Sequence, residues 1–169
     1  MVREQDIADP ASPGVRAAAF PDSAGIGLYA IDIHGCGKPQ RLPATKPFQI
    51  PYGALVSRDV PNLLAGGKDI GATHIANGAY RLHPTEWAIG EAAGTLAAEA
   101  VRRKRTPASL YRDRPALREV QRKLLESGHP LVWLDDVGPD DPGFVGTQWR
   151  AIASTVSPRR VEVRFKLLN

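Results

Sequence analysis

An α/β fold with short strands, one long glycine-striped helix and a second, C-terminal helix is what this sequence predicts. Three observations carry that expectation. Tyr29, Ile31 and Ile33 alternate with Ala30, Asp32 and His34, the period-2 pattern of a strand. A short apolar run, Leu63-Leu64-Ala65, is bounded by turn residues and ends in Gly66-Gly67. From Pro84 to about Arg105 runs a helix-length segment of mainly small residues, with Gly90, Gly94, Ala97 and Ala98 on one thin stripe. A strand, a glycine turn and a helix start in that order suit a phosphate or a flat cofactor. Glycine lets the backbone come close, and the first helical N–H groups are unpaired and carry the positive end of the dipole.

In chain order, residues 1–24 are polar and broken by Pro10, Pro13 and Pro21, which predicts a short helix or extended arm and then loop. Gly27 to His34 is a strand with Asp32 and His34 on one face. Gly35-Cys36-Gly37-Lys38-Pro39 is a turn. Phe48 to Tyr52 is a second extended piece, which Pro51 makes an edge or an irregular strand, and Ala54-Leu55-Val56 is a candidate extension. Leu63-Leu64-Ala65 reads as a buried strand of a parallel sheet. Pro84 suits a first helical turn, Glu86 and Arg102–Arg105 complement the dipole at either end, and Pro107 stops the helix. Each internal glycine costs about 1 kcal/mol relative to alanine, a penalty most easily offset where a backbone or cofactor must come close. Ala116 to Ser127 is the second helix, with Leu117, Val120, Leu124 and Leu125 as its apolar stripe and Gly128 as its cap. Asp135 to Gly143 reads as linker, Phe144 to Ala153 as a short helix and Arg160 to Leu168 as a final strand.

The 169 residues make one domain or one large fragment, and 15 prolines and 16 glycines imply much loop. A net charge of +4 does not by itself point to nucleic acid. The cations are uneven, though: Arg102, Arg103, Lys104, Arg105, Arg112, Arg114, Arg118, Arg122 and Lys123 cluster with few acids between them. They read as a solvated helix end or as a dock for an acidic partner. A single cysteine excludes an intramolecular disulfide and a cysteine-cluster metal site. The N-terminus has no apolar core segment of a signal peptide, and no run is long enough to span a membrane, so a cytoplasmic location is expected.

Motif chemistry narrows the field. His34, His74, His83 and His129 show no helical zinc spacing, so no metal site is expected. No Gly-x-Ser-x-Gly elbow is present. Gly25-Ile26-Gly27 and Gly35-Cys36-Gly37 lack the third glycine and the helix of a dinucleotide fingerprint. The Gly66-Gly67-Lys68-Asp69 turn, joined to the glycine-striped helix, is the better cofactor candidate. Arg81 and His83, just before that helix, are placed to meet a substrate anion or a cofactor carbonyl, or else to line the turn.

Several motifs then agree in order: Tyr29-x-Ile31-Asp32-Ile33-His34, Ile50-Pro51-Tyr52-x-Ala54-Leu55, Asn62-Leu63-Leu64-x-Gly66, Ala72-Thr73-His74, Arg81-x-x-Pro84-Thr85, Gly90-x-Ala92-Ala93-Gly94 and Val120-Gln121-x-x-Leu124-x-x-x-Gly128. Over residues 1–135 this resembles the C-terminal part of bacterial FAD-dependent oxidoreductases with a glutathione-reductase-like FAD domain. The resemblance implies a partial, Rossmann-like FAD-binding fold in which the strand ending near Gly66 is the last of the FAD domain. It places Gly66, Gly67, Asp69, Thr85, Glu86 and Trp87 beside the flavin, and Tyr29, Asp32 and Arg81 on the substrate side. It implies hydride transfer from a substrate C–H to flavin N5, with His34 and His74 as acid/base candidates. Residues 136–169 form a linker and small tail outside it.

Three residues depart from that family's usual pattern: Lys68 stands in place of arginine, Glu91 in place of glutamine, and Trp87 is bulky. The larger departure is that no Gly-x-Gly-x-x-Gly segment precedes these motifs. The expectation is therefore a C-terminal portion that does not hold FAD stably alone. It would be completed by an N-terminal FAD-binding portion or by self-association, with exposed strand edges where sheet neighbours are lacking. The other reading is a non-catalytic α/β interaction module working through the basic 102–123 surface, with nucleic acid as a weaker partner.

Overall fold

The computed structural model describes residues 1–8, 16–34 and 42–134. The turn at 35–39 lies outside them, as do the linker, helix and strand expected beyond residue 134. Within them are a four-residue helix α1 (Gln5–Ala8), strands β1 (Ser23–Gly27) and β2 (Phe48–Pro51), a 3-10 turn at Tyr52–Ala54, and helices α2 (His74–Tyr80), α3 (His83–Arg102), α4 (Pro107–Arg112) and α5 (Arg114–Glu126). The mixed helix and strand content agrees with an α/β class, but the sheet has only two strands, paired antiparallel with a bulge between Ser23 and Gly25. The one parallel pairing among the described residues is the single bridge Val2–Ala72.

The first predicted strand is displaced. Only Gly27 of Gly27–His34 belongs to β1, which lies just before it and is built from Ser23-Ala24-Gly25-Ile26-Gly27, all but Ile26 small residues with little strand propensity. The alternating segment that follows is held along α2 instead of in a ladder. The Asp32 amide donates to the Gly78 carbonyl at 3.3 Å, and a Cβ on Gly78 would come within 2.9 Å of the Asp32 carbonyl oxygen. Period-2 burial has been satisfied by packing on a helix.

Leu63-Leu64-Ala65 is likewise not a strand of a parallel sheet. Leu64 forms a single antiparallel bridge with Val56, framed by Ser57 N–H to Leu63 O (3.2 Å) and Ala65 N–H to Leu55 O (2.8 Å), while Leu63 is 54% exposed. A short loop back from Val56 brings its own partner alongside. Ala54 belongs to the 3-10 turn and so does not prolong β2.

α3 is the central element. Thr85, Ile89, Ala92, Ala93, Leu96, Glu99 and Ala100 form its buried face, which packs on β1 and against α4 and α5. The Tyr52 hydroxyl donates to the Ala92 carbonyl at 3.1 Å. The helix ends three residues earlier than Arg105. Lys104 takes a left-handed φ of 53°, letting the Arg105 amide reach back to the Ala100 carbonyl at 2.9 Å. Pro107 opens α4 instead of merely stopping α3, because the Thr106 hydroxyl caps the new helix by accepting from the Ser109 amide. The second predicted helix is α5, with the expected stripe buried and Gly128 at φ +86° beyond its end.

The expected exposed edges are not found at the strand pair, whose residues are almost all buried. Side-chain donors meet its carbonyls. Gln121 donates to Ser23 O (3.0 Å), His129 Nε2 faces Ala24 O (2.9 Å), the Tyr80 hydroxyl donates to Gln49 O (2.6 Å) and the Trp133 indole to Phe48 O (3.1 Å). No helix among the described residues is long and apolar enough to cross a membrane.

Glu99 clamps α3 to α5. Its buried carboxylate accepts from Arg102 (2.7 Å), from Arg103 (3.0 Å) and from Lys123 of α5. These bonds, led by that from Arg102, hold its ionisation well below the usual carboxylate range. A depressed folded-state value means that the clamp is complete above the unfolded carboxylate value of 4.5 and weakens as pH falls below it. The free-energy gap between the native chain and Glu99→Gln, measured by denaturant titration, should therefore be constant above about pH 5.5 and narrow progressively below about pH 4.5. The strand pair supplies a second expectation. A Cβ at Gly27 would lie 2.5 and 2.8 Å from the buried Phe48 ring, itself packed on Tyr80 with centroids 4.6 Å apart. Gly27→Ala should cost roughly 1–3 kcal/mol through overpacking, read as a lower denaturation midpoint.

Candidate functional site

The residues singled out from sequence converge on the corner between α2 and α3, where only Arg81 and Leu82 separate the two helices. One cluster lies on the α2 side. Arg81 Nη2 donates to the Asp32 backbone carbonyl at 2.6 Å and approaches Asp32 Oδ2 at 3.9 Å, while His34 Nε2 lies 3.0 Å from that same carboxylate oxygen. Asp32 thus draws together a guanidinium and an imidazole that are far apart in sequence. The His34 ring is otherwise open to solvent, with 81% of its side chain exposed.

The second cluster lies on the α3 side. Glu86 Oε2 is 3.6 Å from Lys68 Nζ and 3.5 Å from His83 Nδ1. This ties the Gly66–Asp69 turn to the first turn of α3. Gly90 backs the same contact, since a Cβ there would meet the Gly66 carbonyl oxygen at 3.4 Å. The expected joining of glycine turn and helix start is therefore present, although through an irregular segment and not a sheet strand.

Other residues fall elsewhere. Thr85 is buried against β1, with its hydroxyl 3.1 Å from where a Gly27 Cβ would lie, so its side chain faces the core. Trp87 is 79% exposed on the first turns of α3. Asp69 is exposed on the turn, and Tyr29 is half-buried, its carbonyl accepting from the Thr45 hydroxyl at 2.7 Å. His74 is the first residue of α2, about 10 Å of helix rise from Arg81, at the opposite end from the Asp32 cluster. No group of three metal-ligating side chains occurs among the described residues.

The glycines divide into two kinds. Gly27, Gly53 and Gly78 are required by packing, because a Cβ on any of them would come within 3.0 Å of a neighbour. Gly66 and Gly94 have nothing within 4 Å, and Gly128 is the one glycine at positive φ among the described residues. Neither backbone conformation nor crowding explains glycine at 66, which is exposed on the turn and faces open space.

Sequence reading missed Asp22 and Tyr111. Asp22 Oδ2 accepts from the Gly53 amide (2.9 Å) and from the Tyr111 hydroxyl (3.2 Å), across a separation of 89 residues. Burial, with the Asp22 charge beside it, raises the ionisation of Tyr111 above its ordinary range. No spacing pattern reports such a pair. On the basic surface, Arg102, Arg103 and Lys123 share Glu99, Arg105 pairs with Asp113 and Arg122 with Glu119 and Glu126. Much of that charge is consumed by helix packing.

Comparison with protein families matches residues 1–124 to the model described as FAD dependent oxidoreductase. Comparisons with curated proteins and with solved structures gave no match.

Proposed function

This chain belongs to the FAD dependent oxidoreductase family, and from that premise we propose that it supplies the turn-and-helix wall of a flavin site, completed by a nucleotide-binding portion or by a second copy of the chain. The family accounts for FAD use and for oxidoreductase-type function. The observation that carries the placement is Gly66, a glycine that the fold does not need, facing open space beside the start of a 20-residue helix. Gly66 and Gly67 would leave room for the cofactor, and the exposed Asp69 carboxylate would accept from its ribityl hydroxyls. Glu86 and Trp87, with Thr85 through its backbone alone because its side chain faces the core, would line the positive end of α3, which favours negative charge on the ring. When bound, the flavin supplies the hydride-accepting chemistry.

The chain's own residues handle the substrate side. Arg81, anchored on the Asp32 carbonyl, orients an anionic or carbonyl group. Asp32 holds the His34 imidazole through Nε2, leaving Nδ1 to exchange a proton with substrate. Support for His34 over His74 comes from this partnership. A second reading, a non-catalytic module, draws on Lys104, Arg114 and Arg118, which are exposed and carry no ion pair among the described residues.

Flavin uptake separates the two readings. After incubation with excess FAD and desalting, the native chain should retain flavin absorbance. Gly66→Ala should keep the fold, gaining up to about 1 kcal/mol in denaturant stability from a stiffer unfolded chain, yet retain several-fold less flavin. Undiminished flavin in that variant would remove Gly66 from the site, and no uptake by the native chain would favour the interaction module.

A further inference from the structure

The outward face of α3 is apolar and uncovered. Trp87 and Val101 are each 79% exposed, more than any other large apolar side chain among the described residues. They sit about four turns apart on the same side of the helix, roughly 21 Å along its axis. Between them on that side stand Gly90, Gly94 and Ala98. Gly94 and Ala98 are exposed, and a Cβ on Gly94 would meet nothing within 4 Å; Gly90 borders the Gly66 carbonyl oxygen. The large apolar side chains of α5, by contrast, are buried. Large exposed apolar groups on one helix face mark a surface that meets another protein.

The spacing identifies the occupant. Gly90 and Ala98 lie four residues to either side of Gly94, Trp87 and Val101 seven, and Glu86 and Arg102 eight. A second α3 laid antiparallel across Gly94 therefore sets small residues against small ones and Trp87 against the partner's Val101. It also sets Glu86 opposite the partner's Arg102. The Arg102 side chain keeps 59% exposure beyond its bond with Glu99, and Glu86 has only the longer contacts to His83 and Lys68 at 3.5 and 3.6 Å. A parallel pair would instead put Arg102 beside its own copy. The glycine centre lets the axes approach closely, the bulky side chains close both ends, and the helix dipoles run in opposite directions. A patch complementary to itself is what a two-fold interface requires.

We propose that α3 is the interface of a homodimer of this chain, crossing its symmetry mate antiparallel at Gly94. The pairing also brings the partner's Val101 and Arg102 to the first turns of α3, where they add an apolar and a cationic group to the flavin wall. That consequence rests on the flavin reading above; the pairing itself does not.

The test measures association without flavin. A contact of one helix pair is small, so the dissociation constant should be roughly micromolar, and sedimentation equilibrium from about 1 to 200 μM should show monomer converting to dimer. Trp87→Glu, at an exposed position, should keep the circular dichroism spectrum and the thermal midpoint of the dilute chain yet weaken association about tenfold or more. With Cys36→Ser as background, Gly94→Cys should cross-link to its own copy under mild oxidation, because the two-fold axis passes there, whereas Arg118→Cys on α5 should not. A native chain that stays monomeric throughout, a dimer indifferent to Trp87→Glu, or the absence of the Gly94→Cys cross-link would each overturn the proposal. Flavin retention after desalting is scored separately. Retention by a monomeric chain removes the dimer and leaves the flavin reading, and a dimer that retains no flavin does the reverse.

Discussion

The structure depends on satisfying a buried pair of strands. A two-stranded sheet sunk among helices must find partners for carbonyl groups that a wider sheet would pair with further strands. Here Gln121, His129, Tyr80 and Trp133 provide them. That requirement fixes much else. α5 must bring Gln121 up to Ser23, the segment after Gly128 must turn back so that His129 can reach Ala24, and α2 must present Tyr80 to Gln49. Helix placement follows from strand satisfaction as much as from apolar burial, and α3, pressed between β1 and α5, inherits its orientation from it. His129 is held on its other side by Glu91 at 3.0 Å, so the clamp also reaches α3.

What the residues disclosed in advance was local. α3 and α5 announced themselves through Pro84, through the Leu117–Leu125 stripe and through Gly128, because capping and period are properties of neighbours in the chain, whereas α2 and α4, of seven and six residues, were not foreseen. The second strand was visible in Phe48 to Pro51 for the same reason. The first was mistaken by a few residues because Ser23 to Gly27 owes its extension to contacts far along the chain, while the β-forming alternation after it found a helix to lie on. The Leu63–Ala65 run showed the limit of apolar patterning, since hydrophobic character does not say whether the neighbour will be a sheet or a single returning loop.

The candidate site was legible where residue type carried the argument, and hidden where geometry did. Asp32, His34 and Arg81 were picked out from separate stretches and the fold gathers them. Gly67 also lies beside Glu86, and the Gly66 carbonyl beside Gly90. Asp22 and Tyr111 offered no pattern, and the packing glycines look the same in sequence as Gly66. Only the atoms around each position distinguish a glycine that relieves crowding from one that leaves room. The same distinction separates the cations of the basic surface, most of which are engaged with Glu99, Asp113, Glu119 or Glu126.

The contacts that complete β1 also set an order of events. Ser23 is bonded by Gln121 and by its own hydroxyl to the Leu131 carbonyl, and Ala24 is met by His129, across separations of 98, 108 and 105 residues. Loops of that length are slow to close, and none of these contacts can form until the partner has been synthesised. On an elongating chain, the N-terminal strand therefore waits, its carbonyls answered by water, until α5 and the turn after it have emerged. A chain broken off anywhere before Leu131 therefore lacks at least one of the contacts that complete the strand pair.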